Sequence, residues 1–225
     1  MDLSKEQLLQ IDNYIFVCGI QFYDVRVEIV DHFANILEQK LAKNPALDFK
    51  QEIINSHKNF SDNGFKKLLK EKTKWVTKKF YKQTLKHFIV FFKLPKIILS
   101  AALFCVLYLL MHVFENKEYF FLWAHGFTLL LVANIGYQNW KNKGKEREAF
   151  LVLNKTDHFI QIVNFVFILF NTITNFRNDQ SFLNPTHNNI HLFVFVVLLL
   201  FYWSGEAVFS QNEKLVQKQY PNILV

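Results

Sequence analysis

The chain has 225 residues, 51% of them hydrophobic and 17% aromatic, and 26 Lys and Arg against 19 Asp and Glu leave a formal charge of +7. A water-soluble globule of this length does not bury so much apolar surface, and 26 Phe against 6 Gly and 4 Pro exclude collagen-like, linker-rich and disordered chains. Two cysteines, Cys18 and Cys105, make no disulfide framework and lack CxxC metal-ligand spacing, so a reducing compartment fits the N-terminal part.

In chain order, the first 18 residues are polar, with no apolar run or cleavage site typical of a secretory signal, so the first span is expected to act as its own insertion signal. Ser4 followed by Gln7 predicts a capping box, and Leu8, Ile11, Ile15 and Cys18 recur at helical spacing until Gly19 supplies a stop. Asp24 is placed to cap a second helix, in which Ile29, Val30, Phe33, Ile36, Leu37 and Leu41 form one apolar face ending at Asn44-Pro45. Asp48 with Gln51 opens a short third helix, closed by Ser61-Asp62-Asn63-Gly64. From Phe65 a long helix is expected, with Phe65, Leu68, Leu69, Trp75, Val76 and Phe80 broadly on one side. Lys66, Lys70, Lys74, Lys78 and Lys82 recur at i+4 steps on another side.

Charge divides this half of the chain sharply. Residues 1–62 hold ten acids and six bases, whereas residues 63–96 hold eleven bases and Glu71, a net +10 that exceeds the charge of the whole chain. A basic amphipathic helix beside a membrane meets anionic headgroups first, each nearby base contributing roughly 1 kcal/mol, so Lys70, Lys74, Lys78 and Lys82 are expected to contact lipid rather than nucleic acid.

Residues 23–41, YDVRVEIVDHFANILEQKL, and 47–72, LDFKQEIINSHKNFSDNGFKKLLKEK, resemble the HAAS type of cytosolic helical domain. Those domains precede several membrane spans, and the family is linked with PadR-like transcription regulators and inferred to act in signalling. The resemblance therefore implies a helical head in a sensor or regulatory membrane protein, and it brings no catalytic residues. This chain has Asn63-Gly64 where a Gly-x-Pro type of turn is common in the family.

About 20 mostly apolar helical residues cross a hydrocarbon core of roughly 30 Å. Four such runs follow, 97–114, 119–137, 159–176 and 190–209. Lysines crowd the segment before the first run, and Lys141, Lys143, Lys145, Arg147 and Lys155 lie between the second and third; the remaining loops hold only Lys117 and Arg177. Positive charge favours the cytoplasm, so both termini and the central loop are expected there, with loops near 115–118 and 178–189 outside. Trp140 and Tyr202-Trp203 fit the inner boundary, and Tyr119 and Trp123 the outer one. The expected architecture is all-α: a cytosolic helical head (1–64), a basic amphipathic connector (65–96), a four-helix transmembrane bundle (97–209) and a cytosolic tail (210–225).

Chemistry-bearing residues are few. No phosphate-cradling, zinc-protease, serine-hydrolase or kinase signature is present, and Asp31-His32 reads as the exposed face of a packing helix, so no enzymatic activity is expected. His112, His125, His187 and His191 fall toward one end of the spans with Glu115 and Glu118 close by; they read either as interfacial hydrogen-bonding residues or as ligands for a metal or haem iron. In the third span Gln161, Asn164, Asn171, Thr172 and Asn175 occupy about a 100° arc that is costly against lipid, and either stitch helices together or line a polar cavity. Glu206 reads as an interfacial acid or a proton or cation site in the fourth span.

Two functions remain. One is a regulatory or scaffold protein of the cytoplasmic membrane that binds lipid through its connector and a cytosolic protein through its head, with no cofactor. The other is a small transporter or redox carrier using the histidines or Glu206. Self-association fits either.

Overall fold

The computed structural model describes residues 3–60, 64–142, 149–176, 179–221 and 223, and is all-α. Among these residues no strand occurs, only an isolated parallel bridge between Phe22 and Ala149. The expected loop residues Ser61, Asp62, Asn63, Lys143, Lys145, Arg147, Arg177 and Asn178 lie outside the described residues, as do the side chains of Trp140 and Lys141. The helices form two compact units, each described by itself.

The first unit comprises Met1–Lys79, Arg147–Lys155 and Val216–Val225. Helix α1 (Lys5–Val17) opens on the expected capping box, Ser4 accepting from the Gln7 amide at 3.2 Å while Gln7 accepts from the Ser4 amide at 2.8 Å. Gly19 follows at φ +97°, a left-handed conformation that releases the chain into the next helix and that a Cβ would disfavour. Helix α2 (Tyr23–Lys43) buries Val25, Ile29, Phe33, Leu37 and Leu41, one residue every four positions, and ends at Asn44 before Pro45. Helix α3 (Phe49–Phe60) is capped by Asp48, which accepts from the Lys50 amide; Gln51 donates instead to Asn55. Helix α4 (Gly64–Val90) adds Phe65 and Val76 to a core built mainly from α1 and α2.

Polar links frame that core. Arg26 is 5% exposed: its Nε donates to Asp12 at 2.7 Å and its guanidinium lies 5.2 Å over the Phe16 ring. Lys40 bridges α2 to α3 through Glu52 and Ser56, holding the Glu52 carboxyl below the usual carboxylate range.

The second unit comprises Phe80–Glu146 and Thr156–Leu215. It contains α5 (Lys96–Val113), α6 (Lys117–Asn142), most of α7 (Leu151–Asn175), the short α8 (Asp179–Leu183) and most of α9 (Pro185–Gln219). α7 begins eight residues before the expected span. α9 extends beyond both ends of its span because Asn184 caps it, accepting from the Thr186 amide at 2.9 Å, with Pro185 at the first position. The loop expected over 178–189 contains α8.

Among the described residues three helices, α5, α7 and α9, are long and apolar enough to cross a membrane, with mean hydropathies of 2.1, 1.3 and 2.1 over their most apolar stretches. Residues 119–137 lie within α6. Only 11% of the apolar stretch of α5 is buried within the protein, and Ile98, Leu99, Val106, Leu109 and Val113 are exposed along it, together with Cys105. A helix this apolar and this uncovered suits hydrocarbon rather than water. One core joins α5, α6, α7 and α9 through Met111, Phe120, Phe121, Phe167, Phe195 and Leu199; another packs Phe80 of α4 against Phe159, Tyr202 and Val208.

Candidate functional site

In the first unit, three segments far apart in sequence converge on the start of α2. The helix begins one residue before Asp24, with Phe22 at the cap position and no side-chain cap bond. Asp24 is therefore free to cap another helix. Its Oδ1 accepts from the Leu151 amide at 2.9 Å and its Oδ2 from the Val152 amide at 3.4 Å, so one carboxylate closes the first turn of α7, where N–H groups lack intrahelical acceptors. The Tyr23 amide donates to the Ala149 carbonyl at 2.7 Å. The Tyr23 ring lies edge-on to Phe150 at 5.7 Å and to Tyr220, just past α9, at 5.3 Å. Burial pushes the Asp24 carboxyl above its usual range, although the amides it binds pull the other way. The Tyr220 phenol is raised by burial first and by Asp24's charge second.

Below this junction, His57 of α3 is the polar centre of the head. Its Nδ1 meets the Tyr14 hydroxyl at 2.8 Å, and its ring stacks on Phe65 at 4.3 Å with planes 5° apart. Burial lowers its pKa. The Cys18 sulfur lies 3.9 Å from the same nitrogen, and burial raises that thiol, which disfavours a thiolate nucleophile. Of the pair Asp31-His32, His32 lines a groove of about 260 Å³ with Val25, Ile29 and Leu68, across which Lys72 pairs with Glu28.

On α4, Lys70, Lys74, Lys78 and Lys82 are all exposed. Trp75, 55% exposed, stands among them with the ammoniums of Lys79 and Lys72 at 4.8 and 5.7 Å from its ring. An aromatic ring held between lysines on an exposed face has the chemistry of a headgroup contact.

In the second unit the polar arc of α7 is resolved residue by residue. Gln161 is exposed and donates to Asp157. Asn164 is buried, and its Oδ1 has no partner among the described residues. Asn171 donates to the Phe167 carbonyl at 2.8 Å and reaches Thr128 of α6 at 3.4 Å; Thr172 donates to Ile168, and Asn175 to the Asn171 carbonyl. Thr174, which the arc did not include, meets His191 of α9 at 3.0 Å. The arc thus links helices at Asn171, and Thr174, outside it, adds a second link.

The four histidines have separate neighbourhoods. His187 meets Ser181 of α8 at 3.1 Å, and His191 lies against Thr174, Phe170 and Phe121. His125 has its Nδ1 buried without a hydrogen-bond partner among the described residues. His112 donates from Nδ1 to the Tyr108 carbonyl at 2.8 Å. Among the described residues, no three His, Cys, Asp or Glu side chains are grouped so as to hold a metal ion. Glu206 is half-buried on α9, one turn after Tyr202.

His112 does line a cavity of about 590 Å³ between the ends of α5 and α6 and the α8–α9 segment, walled by Tyr108, Met111, Phe182, Leu183 and Pro185 with Glu115, Lys117 and Glu118. No protein-family model, curated protein sequence or solved structure matches this chain.

Proposed function

We propose that the chain is a multi-pass protein of the cytoplasmic membrane, with α6 as a fourth span and both termini in the cytosol, in which the helical head binds a cytosolic protein in a regulatory or scaffold role. The observation that carries this reading is Asp24. A residue of the head supplies hydrogen-bond acceptors to the first turn of α7, itself long enough to span a membrane. An event that moves α2 is therefore felt at the start of a membrane helix. The capping of Leu151 and Val152, the Tyr23–Phe150–Tyr220 cluster and the HAAS-like sequence of residues 23–72 support a head that reports to the spans; Lys70, Lys74, Lys78 and Lys82 favour anionic lipid beside it. The separate neighbourhoods of the histidines give a carrier mechanism no common centre.

The test is purification of the full chain from native membranes, with an absorption spectrum and metal analysis on the same sample. A retained cytosolic protein whose recovery falls for Asp24→Ala is expected. A haem spectrum or one equivalent of bound metal would overturn the reading in favour of a redox carrier. Reporter fusions at the two ends check the topology; a C-terminus outside the cell would remove α6 as a span.

A further inference from the structure

The cavity at the ends of α5 and α6 has a polarity that selects a ligand, independently of the role proposed for the head. Its floor is part of the protein core: Met111 is 1% exposed and Phe182 5%. Its volume of about 590 Å³ lies in the range of small-molecule sites. Carboxylates outnumber cations in the polar lining around that floor. His112 donates from Nδ1 to the Tyr108 carbonyl, which leaves Nε2 as the ring nitrogen outside that bond. Glu115 and Glu118 add two carboxylates. Lys117, the cation of the lining, donates to the Phe114 carbonyl at 2.6 Å, so the two carboxylates exceed it by one charge; Asn188 donates to the Phe182 carbonyl at 2.7 Å and Asn116 to Glu118 at 3.4 Å. A ligand that donates hydrogen bonds, carries positive charge and covers an apolar floor suits this lining.

We infer that this cavity binds an amphipathic primary ammonium, with the ammonium between Glu115, Glu118 and His112 and the apolar body against Met111 and Phe182. The same chemistry is offered by a free aryl- or alkylamine and by the ethanolamine headgroup of a phospholipid.

The experiment uses the full-length protein in neutral detergent, titrated calorimetrically with 2-phenylethylammonium, 2-phenylethanol and 3-phenylpropionate. The cation is expected to bind and the anion not to; the neutral alcohol should bind at least about tenfold more weakly than the cation. Glu115→Gln with Glu118→Gln should remove that preference, and because Glu115 is exposed and Glu118 half-exposed, the fold is kept, as circular dichroism would verify. Asn189→Trp, at the mouth, should weaken all binding without changing charge. Native mass spectrometry in mixed-lipid nanodiscs separates the sources: retention of phosphatidylethanolamine over phosphatidylglycerol, lost in the double variant, identifies the headgroup, whereas amine binding without that retention identifies a free amine. Equal affinity for amine and alcohol, or an unchanged amine affinity in the double variant, would overturn the assignment.

Discussion

Replacing Asp24 by alanine takes two hydrogen-bond acceptors from the first turn of α7. Leu151 is fully buried, so its amide loses the 2.9 Å bond without gaining water; the Val152 bond, at 3.4 Å, is weaker and its residue less buried. An orphaned buried N–H costs about 1–3 kcal/mol, and loss of a capping side chain about 0.5–2 kcal/mol. These describe the same event, so about 1–2 kcal/mol is expected for Asp24→Ala. Asp24→Asn retains one carbonyl oxygen for the Leu151 amide and relieves the burial of charge, and should lie within about 0.5 kcal/mol of the native protein. The sign of the pH dependence separates the two effects. Because the folded carboxyl is raised above its unfolded value, the folded state holds more protons, and its contribution to stability falls as pH rises from the ordinary carboxylate range through the raised folded value. That slope should vanish in Asp24→Asn. Hydrogen exchange of the Leu151 and Val152 amides, with chemical denaturation of the full chain, makes the measurement. Alanine with native stability and native exchange at both amides would refute the capping argument.

His57 gives a pH dependence of the opposite sense: its folded pKa is lowered, so stability rises with pH up to about 6.5 and is lost on acidification below it, a slope that His57→Phe should flatten in denaturant titrations between pH 5 and 8. At Gly64, φ is +52° and an added Cβ would lie 2.8 Å from the His57 Nε2, so Gly64→Ala should cost about 1–2 kcal/mol in the same titrations and disturb the His57–Phe65 stack. Reversing Lys70, Lys74, Lys78 and Lys82 to Glu should abolish the extra hydrogen-exchange protection of α4 expected in anionic over zwitterionic nanodiscs, each lysine contributing roughly 1 kcal/mol. Equal protection in the two lipids before substitution would remove α4 from the membrane surface.

Local signals carried over where the interaction is local. The Ser4–Gln7 box, the Gly19 stop and the Asn184-Pro185 start of α9 depend on residues within a few positions of one another, and each stands in the structure as read; of the apolar face read on α2, Ile29, Phe33, Leu37 and Leu41 are buried, while Val30 and Ile36 are half-buried and Val25 joins them. Asp24 was legible as a cap but not as the cap of α7, because its acceptor duty is set 127 residues away. The polar arc on α7 was legible from periodicity; its links to Thr128 and His191 were not, since periodicity orients a face without choosing its neighbour. The histidines share a level along the spans by sequence, but level does not fix angular position: His112 bonds within α5, His187 meets α8 and His191 meets α7. The ends of α7 and α9 ran past the apolar stretches because a helix continues while its backbone bonds are satisfied, whether or not its residues are greasy.

The side chains of α7 also bear on how such a helix enters a membrane. Asn171, Thr172, Thr174 and Asn175 each donate to a carbonyl one turn earlier in their own helix. A helix that engages these donors internally lowers part of their desolvation cost before any neighbour arrives, while the Asn164 and Asn175 carbonyl oxygens stay without a hydrogen-bond partner among the described residues. In a membrane-spanning α7, insertion and assembly would be separable stages, entry as a single helix and then rotation fixed by Thr128 and His191. The same asparagines that reduce its hydropathy thus act late, as orientation markers, instead of as obstacles to entry.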